Sequence, residues 1–189
     1  IKYGSLELVY YENGGNPVER LSFFILPSDG DGIEDLDELR LCHDREGLSW
    51  RLTSGDWLRQ TVDGQIWIGS RAIAMEDGSS LPRGRYRAVL TDKGGEKTEK
   101  VFSFDASGTR PFPAFSVNGG RYRIESAYPR QSLLVYDDEG SYLISVDPPS
   151  PEGEISILGL PSQARSLALW ASDPEHSFSA FTDVVPIDD

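Results

Sequence analysis

Apolar side chains recur at every second position in short runs along this chain, and no other feature narrows its fold so far. Leu6, Leu8 and Tyr10 form one such set. Leu21, Phe23 and Ile25 form a second, with Phe24 and Leu26 loading the opposite face. The sets Leu48, Trp50 and Leu52, then Ile66 and Ile68, then Tyr86, Ala88 and Leu90, then Phe102 and Phe104 follow. Successive side chains of an extended strand point to opposite faces, so each set can line one side of a sheet. Between the sets stand turn formers such as Asn13-Gly14-Gly15-Asn16-Pro17, Asp44-Arg45-Glu46-Gly47, Asp63-Gly64 and Asp92-Lys93-Gly94-Gly95. Asp and Gly provide the side-chain hydrogen bonds and positive φ angles of tight hairpins. Only Ile33 to Leu39 has room for a helical turn. The pattern predicts an all-β protein, a β-sandwich or a barrel.

The alternation is interrupted once, at D-A-S-G-T-R-P-F-P from Asp105 to Pro113. It resumes with Tyr122 and Ile124, Leu133 and Val135, Tyr142, Ile144 and Val146, Ile155 and Ile157, Leu167 and Leu169, and Phe178 and Ala180. The turn Asp137-Asp138-Glu139-Gly140 is placed to close a hairpin between Leu133 and Val146. A length of 189 residues suits one large domain or two small ones, and the interruption favours two. The expected division is residues 1–105 and 113–189, joined by a linker at 106–112. G-R-Y-R occurs at Gly84 to Arg87 and again at Gly120 to Arg123, a local echo between the halves.

L-P-R-G-R-Y-R-A-V-L-T-D-K-G-G-E-K-T-E-K-V-F-S-F, Leu81 to Phe104, resembles the last two strands of a bacterial immunoglobulin-like or fibronectin type III-like domain. In that pattern a Pro-x-Gly-x-Tyr enters the penultimate strand and an Asp-x-x-Gly turn leads to the final one. D-G-D-G-I-E-D-L-D-E-L-R-L, Asp29 to Leu41, resembles the loop and following strand of such domains. The resemblance implies two tandem immunoglobulin-like antiparallel β-sandwich domains, the second smaller than the first. It further implies a non-enzymatic binding or interaction module of a bacterial envelope or secreted protein, an envelope lipoprotein included. Residues 48–75 exceed what a minimal domain needs, so an extra strand or hairpin is expected there.

Thirty-one acids against 18 bases give a net charge of −13. A field of that sign repels phosphate backbones and anionic membrane surfaces, so nucleic acid is not an expected partner. No apolar run approaches the roughly 20 residues that span a bilayer, so no transmembrane segment is expected. The single cysteine, Cys42, makes no internal disulfide and fits a cytosolic or an envelope protein equally. The location expected from the resemblance is extracytoplasmic, with the native start upstream of Ile1.

P-S-D-G-D-G-I-E-D-L-D-E, Pro27 to Glu38, nearly spells a calcium loop. Set against the 12-residue pattern, the ligands are Asp29, Asp31, the Ile33 carbonyl, Asp35 and Glu38, with Gly32 at the sharp turn. Pro27 stands where the pattern wants an aspartate, and Leu39 and Leu41 alternate as a strand where it wants a helix. The competing reading is an Asp/Gly turn between strands with solvated acids; a structural calcium is the one cofactor considered.

The aromatic candidates are Trp57, beside a Gly55-Asp56 turn, and Trp67, between Ile66 and Ile68. Exposed tryptophans on a sandwich stack on sugar rings or anchor proteins; the competing reading, that both are core or fill the gap between the domains, is the ordinary one for tryptophan. The expected partner is therefore a protein or a carbohydrate, and a carbohydrate-binding accessory module is the chief alternative function. A carboxylate hydrolase needs two acids converging in a pocket, and among 31 acids chance pairs are unavoidable. Cys42 and His43 are strand neighbours on opposite faces and cannot act together, so no catalytic residue is assigned; His43 and His176 are placed at surface or edge positions. Arg85, Arg87, Arg121 and Arg123 are expected to pair with acids across strands.

Overall fold

The structure is a computed structural model that describes residues 1–13, 16–28, 32–105 and 111–187. Its elements are β1 (Tyr3–Asn13), β2 (Asn16–Leu26), a 3-10 turn (Ile33–Asp35), β3 (Leu36–His43), β4 (Leu48–Thr53), β5 (Leu58–Val62), β6 (Gln65–Ile73), β7 (Gly84–Asp92) and β8 (Lys97–Phe104). There follow β9 (Ala114–Asn118), β10 (Arg121–Glu125), β11 (Arg130–Tyr136), β12 (Tyr142–Val146), β13 (Glu152–Glu154), a second 3-10 turn (Ile155–Leu158), β14 (Ser166–Asp173), β15 (Phe178–Phe181) and β16 (Val185–Pro186). The described residues contain no α-helix. The all-β class and the several packed sheets agree with a β-sandwich reading. Of the expected linker, residues 106–110 lie outside the described residues.

The chain forms two compact units, residues 1–8 with 19–106 and residues 9–18 with 107–189. In chain order the far halves of β1 and β2 come first, yet they are grouped with the C-terminal residues.

In the first unit one sheet has the order β4-β3-β7-β8, and the base of β1 leads a second, β1-β2-β6-β5. The extra segment between Leu48 and Ile73 supplies β4, β5 and β6. Leu39, Leu41, Tyr86, Ala88, Leu90 and Phe104 from one sheet, and Leu21, Phe23, Ile25 and Ile68 from the other, are buried. They mark the two inner faces of a sandwich, with Phe23 meeting Phe102 edge-on at 6.1 Å. Burial of the leucine, isoleucine and phenylalanine side chains among them stabilises by roughly 1.5–3 kcal/mol each. β2 approaches β6 very closely at Gly69: a Cβ there would lie 1.9 Å from the Phe23 carbonyl oxygen. The ladder shifts register between Leu21 and Phe23 beside that approach.

In the second unit the order is β12-β11-β14-β15, with β16 also on β14, and a separate sheet is ordered β13-β10-β9. Leu133, Val135, Leu167, Leu169, Ala171, Phe178 and Ala180 are buried on one side of the first sheet, and Tyr122 and Ile124 on β10. β15 and β16 follow one another along β14. At the break between them the Thr182 hydroxyl accepts the Leu169 N–H, 3.0 Å, where a strand carbonyl would otherwise serve. The hairpin expected between Leu133 and Val146 is present, with those two residues in register. Ile155 and Ile157, expected on a strand, instead lie in the second 3-10 turn, and Ile157 is exposed.

Candidate functional site

The residues singled out in the acidic loop do not converge where they are described. Asp29 and Asp31 lie outside the described residues. Ile33 and Asp35 form the 3-10 turn, and the Ile33 carbonyl accepts the Leu36 N–H. Glu38 stands on β3, where one carboxylate oxygen meets Arg40 at 2.8 Å and the other is held by the Arg51 Nε. Those guanidinium bonds, Arg51 foremost, hold its carboxyl below the ordinary glutamate range. Among the described residues no group of three or more His, Cys, Asp or Glu is arranged to hold a metal ion.

Trp57 is 6% exposed, in the turn whose Asp56 carboxylate accepts the Thr53 N–H and hydroxyl. Trp67 is half-buried on β6. Both indole N–H groups are buried without a hydrogen-bond partner in the described structure. Trp50 donates its N–H to the Ala74 carbonyl at 2.9 Å and stacks on Tyr86.

His43 is a correction to the surface placement: it is 1% exposed. Its Nδ1 accepts the Glu46 N–H at 3.3 Å, so Nε2 carries the proton donated to the Arg83 carbonyl at 3.1 Å. The imidazole thus ties down the β3–β4 hairpin and serves as a core polar group. His176 stays half-exposed and bonds the buried Asp173 carboxylate at 3.0 Å across the β14–β15 turn. Of the four strand arginines, Arg87 pairs with Asp44 and Glu99, and Arg121 reaches Glu154 at 3.9 Å across strands. Arg123 pairs within its own strand, with Glu125.

The start of β7 is built as a tied corner. Gly84 has φ +122°, a conformation costly to any other residue, and it turns the chain so that Tyr86 enters the core. The Tyr86 hydroxyl donates to the Pro82 carbonyl at 2.7 Å. Burial pushes the Tyr86 phenol well above its ordinary pKa. Arg83 clasps Glu19 at 3.0 Å, Glu19 also accepts the Leu81 N–H, and the Arg83 guanidinium lies 5.1 Å from the Phe104 ring.

The second unit carries the constellation best suited to contact another molecule. Strand alternation puts Trp170 on the face of β14 opposite Leu167, Leu169 and Ala171, and so away from the core. Its register partners are Phe181 on β15 and Ser132 on β11. Tyr11 stacks on Phe181 at 5.3 Å and 7°, and Phe181 on Trp170 at 6.2 Å and 17°. Three parallel rings therefore stand side by side across neighbouring strands, a favourable offset-stacked geometry. Beyond Trp170 the row continues as Ser132, whose hydroxyl donates to Asp147 at 2.5 Å. Ser172 and Ser179, further along the same face, are buried, so the face opens at Trp170, which is 36% exposed. Trp170 was missed in reading the residues, although its parity, opposite to Leu167 and Leu169, was the available signal.

Among the described residues no helix is long and apolar enough to cross a membrane. No protein-family model and no curated protein matches the chain. Among solved structures it is similar to murine CEACAM1b, at 11% identity over 98% of this chain and 99% of that one, with a TM-score of 0.30. It is also similar to dimeric latent PorU from Porphyromonas gingivalis, at 15% identity over 98% of this chain and 20% of that one, with a TM-score of 0.27.

Proposed function

We propose that the chain is a non-enzymatic binding module made of two immunoglobulin-like sandwiches, working in the envelope of a bacterium or outside it. The immunoglobulin-like assignment of the first unit is supported by its tied corner. A tyrosine near the start of a late strand whose hydroxyl bonds backbone a few residues upstream is a hallmark of that fold, and Tyr86 with Pro82 has this geometry. The extracytoplasmic location rests on the resemblance of residues 81–104 and 29–41 alone.

The single observation behind the binding role is the row Tyr11–Phe181–Trp170, aromatic side chains aligned on a sheet face with the last ring open to solvent. A large aromatic group left 36% exposed on a strand paired on both sides offers binding area at small entropic cost. The test sets wild type beside Trp170→Ala, each immobilised and challenged with a panel of glycans and bacterial envelope proteins, after melting curves show that both are folded. A ligand retained by wild type and released by Trp170→Ala supports the role. Ligands that ignore the substitution would place binding elsewhere and sink it.

A further inference from the structure

We propose that the slot above Ser132 is a saccharide subsite that seats one neutral sugar ring against Trp170. The inference rests on the reading of this face as a binding surface and names its ligand.

Four features define the slot. Phe181 occupies one face of the Trp170 ring, so the other is turned toward the β11 side. The residue in register there is a serine, too short to cover an indole, which is why Trp170 stays open although β14 is paired on both sides. One strand further on, the Asp147 carboxylate is held by the Ser132 hydroxyl through one oxygen. From Trp170 to Asp147 is two strand spacings, about 10 Å, which leaves room for a single ring between wall and carboxylate. Lastly, Arg130 sits on the Ser132 face of β11, two residues along and diagonal to Trp170, and it is exposed.

The charges choose among ligands. A phosphate or sulfate would meet Asp147 and a chain of net charge −13. A lysine- or arginine-bearing peptide would stack well on the indole but would meet Arg130. A carboxylate on one flank and a guanidinium diagonal to the ring suit a ligand that is neutral and both donates and accepts hydrogen bonds. An apolar wall asks that it also have a C–H face. A pyranose ring has both properties: its ring face packs on Trp170, while its hydroxyl rim donates to Asp147 and accepts from Arg130. Tyr11 and Phe181, stacked behind, hold the indole upright.

The experiment titrates short neutral gluco- and manno-oligosaccharides into the whole protein, read by calorimetry and by tryptophan fluorescence. Wild type is expected to bind. Trp170→Ala and the slot-filling Ser132→Phe should each abolish binding with melting curves still cooperative, and Asp147→Asn should weaken it by about tenfold through loss of a charge-assisted bond. Absence of binding at millimolar sugar, or binding indifferent to Trp170→Ala and Ser132→Phe, overturns the subsite. A protein ligand that depends on Trp170, with no sugar bound, would overturn the subsite and leave the binding role standing. If nothing that binds depends on Trp170, both fall.

Discussion

Replacing Tyr86 with phenylalanine isolates one hydrogen bond in the core of the first unit. The ring is fully buried and its contacts survive the change: His43 at 4.8 Å, Phe104 at 5.7 Å and Trp50 at 6.1 Å. Only the bond to the Pro82 carbonyl is lost. Pro82 is half-buried, so water recovers part of that carbonyl's hydration, and the net cost should be about 1.5 kcal/mol. For a chain of this size that is a drop of about 3–6 °C in the melting midpoint. The same substitution carries a pH signature. An exposed tyrosine ionises near pH 10, about its unfolded value. Burial raises the folded value above this. The stability tied to the Tyr86 proton is therefore complete below about pH 10 and is lost as pH climbs from there toward the folded pKa. Tyr86→Phe has no such proton to lose. Thermal melts of both proteins across neutral and alkaline pH should show a constant gap that narrows above about pH 10. Equal midpoints at neutral pH would mean that the corner bond contributes nothing, and a gap that stays constant into strong alkali would refute the linkage.

Three further outcomes can be checked by denaturation. In a double-mutant cycle of Glu19→Gln and Arg83→Met, the partly buried bidentate pair should show a coupling of about 1 kcal/mol; additive single effects would make it an ordinary surface pair. Gly69→Ala should cost upwards of about 3 kcal/mol, because its Cβ would strike Phe23 backbone, whereas Gly55→Ala, whose nearest neighbour is 4.0 Å away, should be close to neutral. Equal midpoints for these two variants would show that β2 can move aside. Because both Glu38 oxygens are engaged by arginines, any calcium-dependent rise in melting midpoint should be the same in wild type and Glu38→Gln. A rise that the substitution removes would place Glu38 among the ligands.

Strand positions were legible where the alternation was two-sided and bounded by turns. Leu133 to Val146 is one case, since its register follows from the Asp137–Gly140 turn. Ile155 and Ile157 misled because a 3-10 turn and a strand both accept apolar residues two apart over so short a span. His43 was unreadable for another reason: a buried imidazole needs a backbone donor and a backbone acceptor, and its acceptor, Arg83, is 40 residues away. The proposed site divides the same way. Trp170 sits on the parity opposite two leucines that had already been read as a core pair, so it was available. Its neighbours were not, because Ser132 and Asp147 acquire meaning only when β11 is set beside β14 and β12.

The grouping of residues 9–18 with the C-terminal unit bears on how the chain is made. The Glu12 carboxylate accepts the Asp183 N–H, two groups 171 residues apart, and Tyr11 finds Phe181 over a similar span. During synthesis these residues emerge well before the strand they pack against, with about 170 residues of chain to be made in between. The base of the hairpin can settle early, since β6, which pairs with β2, follows closely in the chain. Its far end carries Val9, Tyr10 and Tyr11, and these must wait uncovered until the strand holding Phe181 has been made. Closing so long a loop is slow. That interval is when the chain is most open to capture by chaperones or by a neighbouring nascent copy.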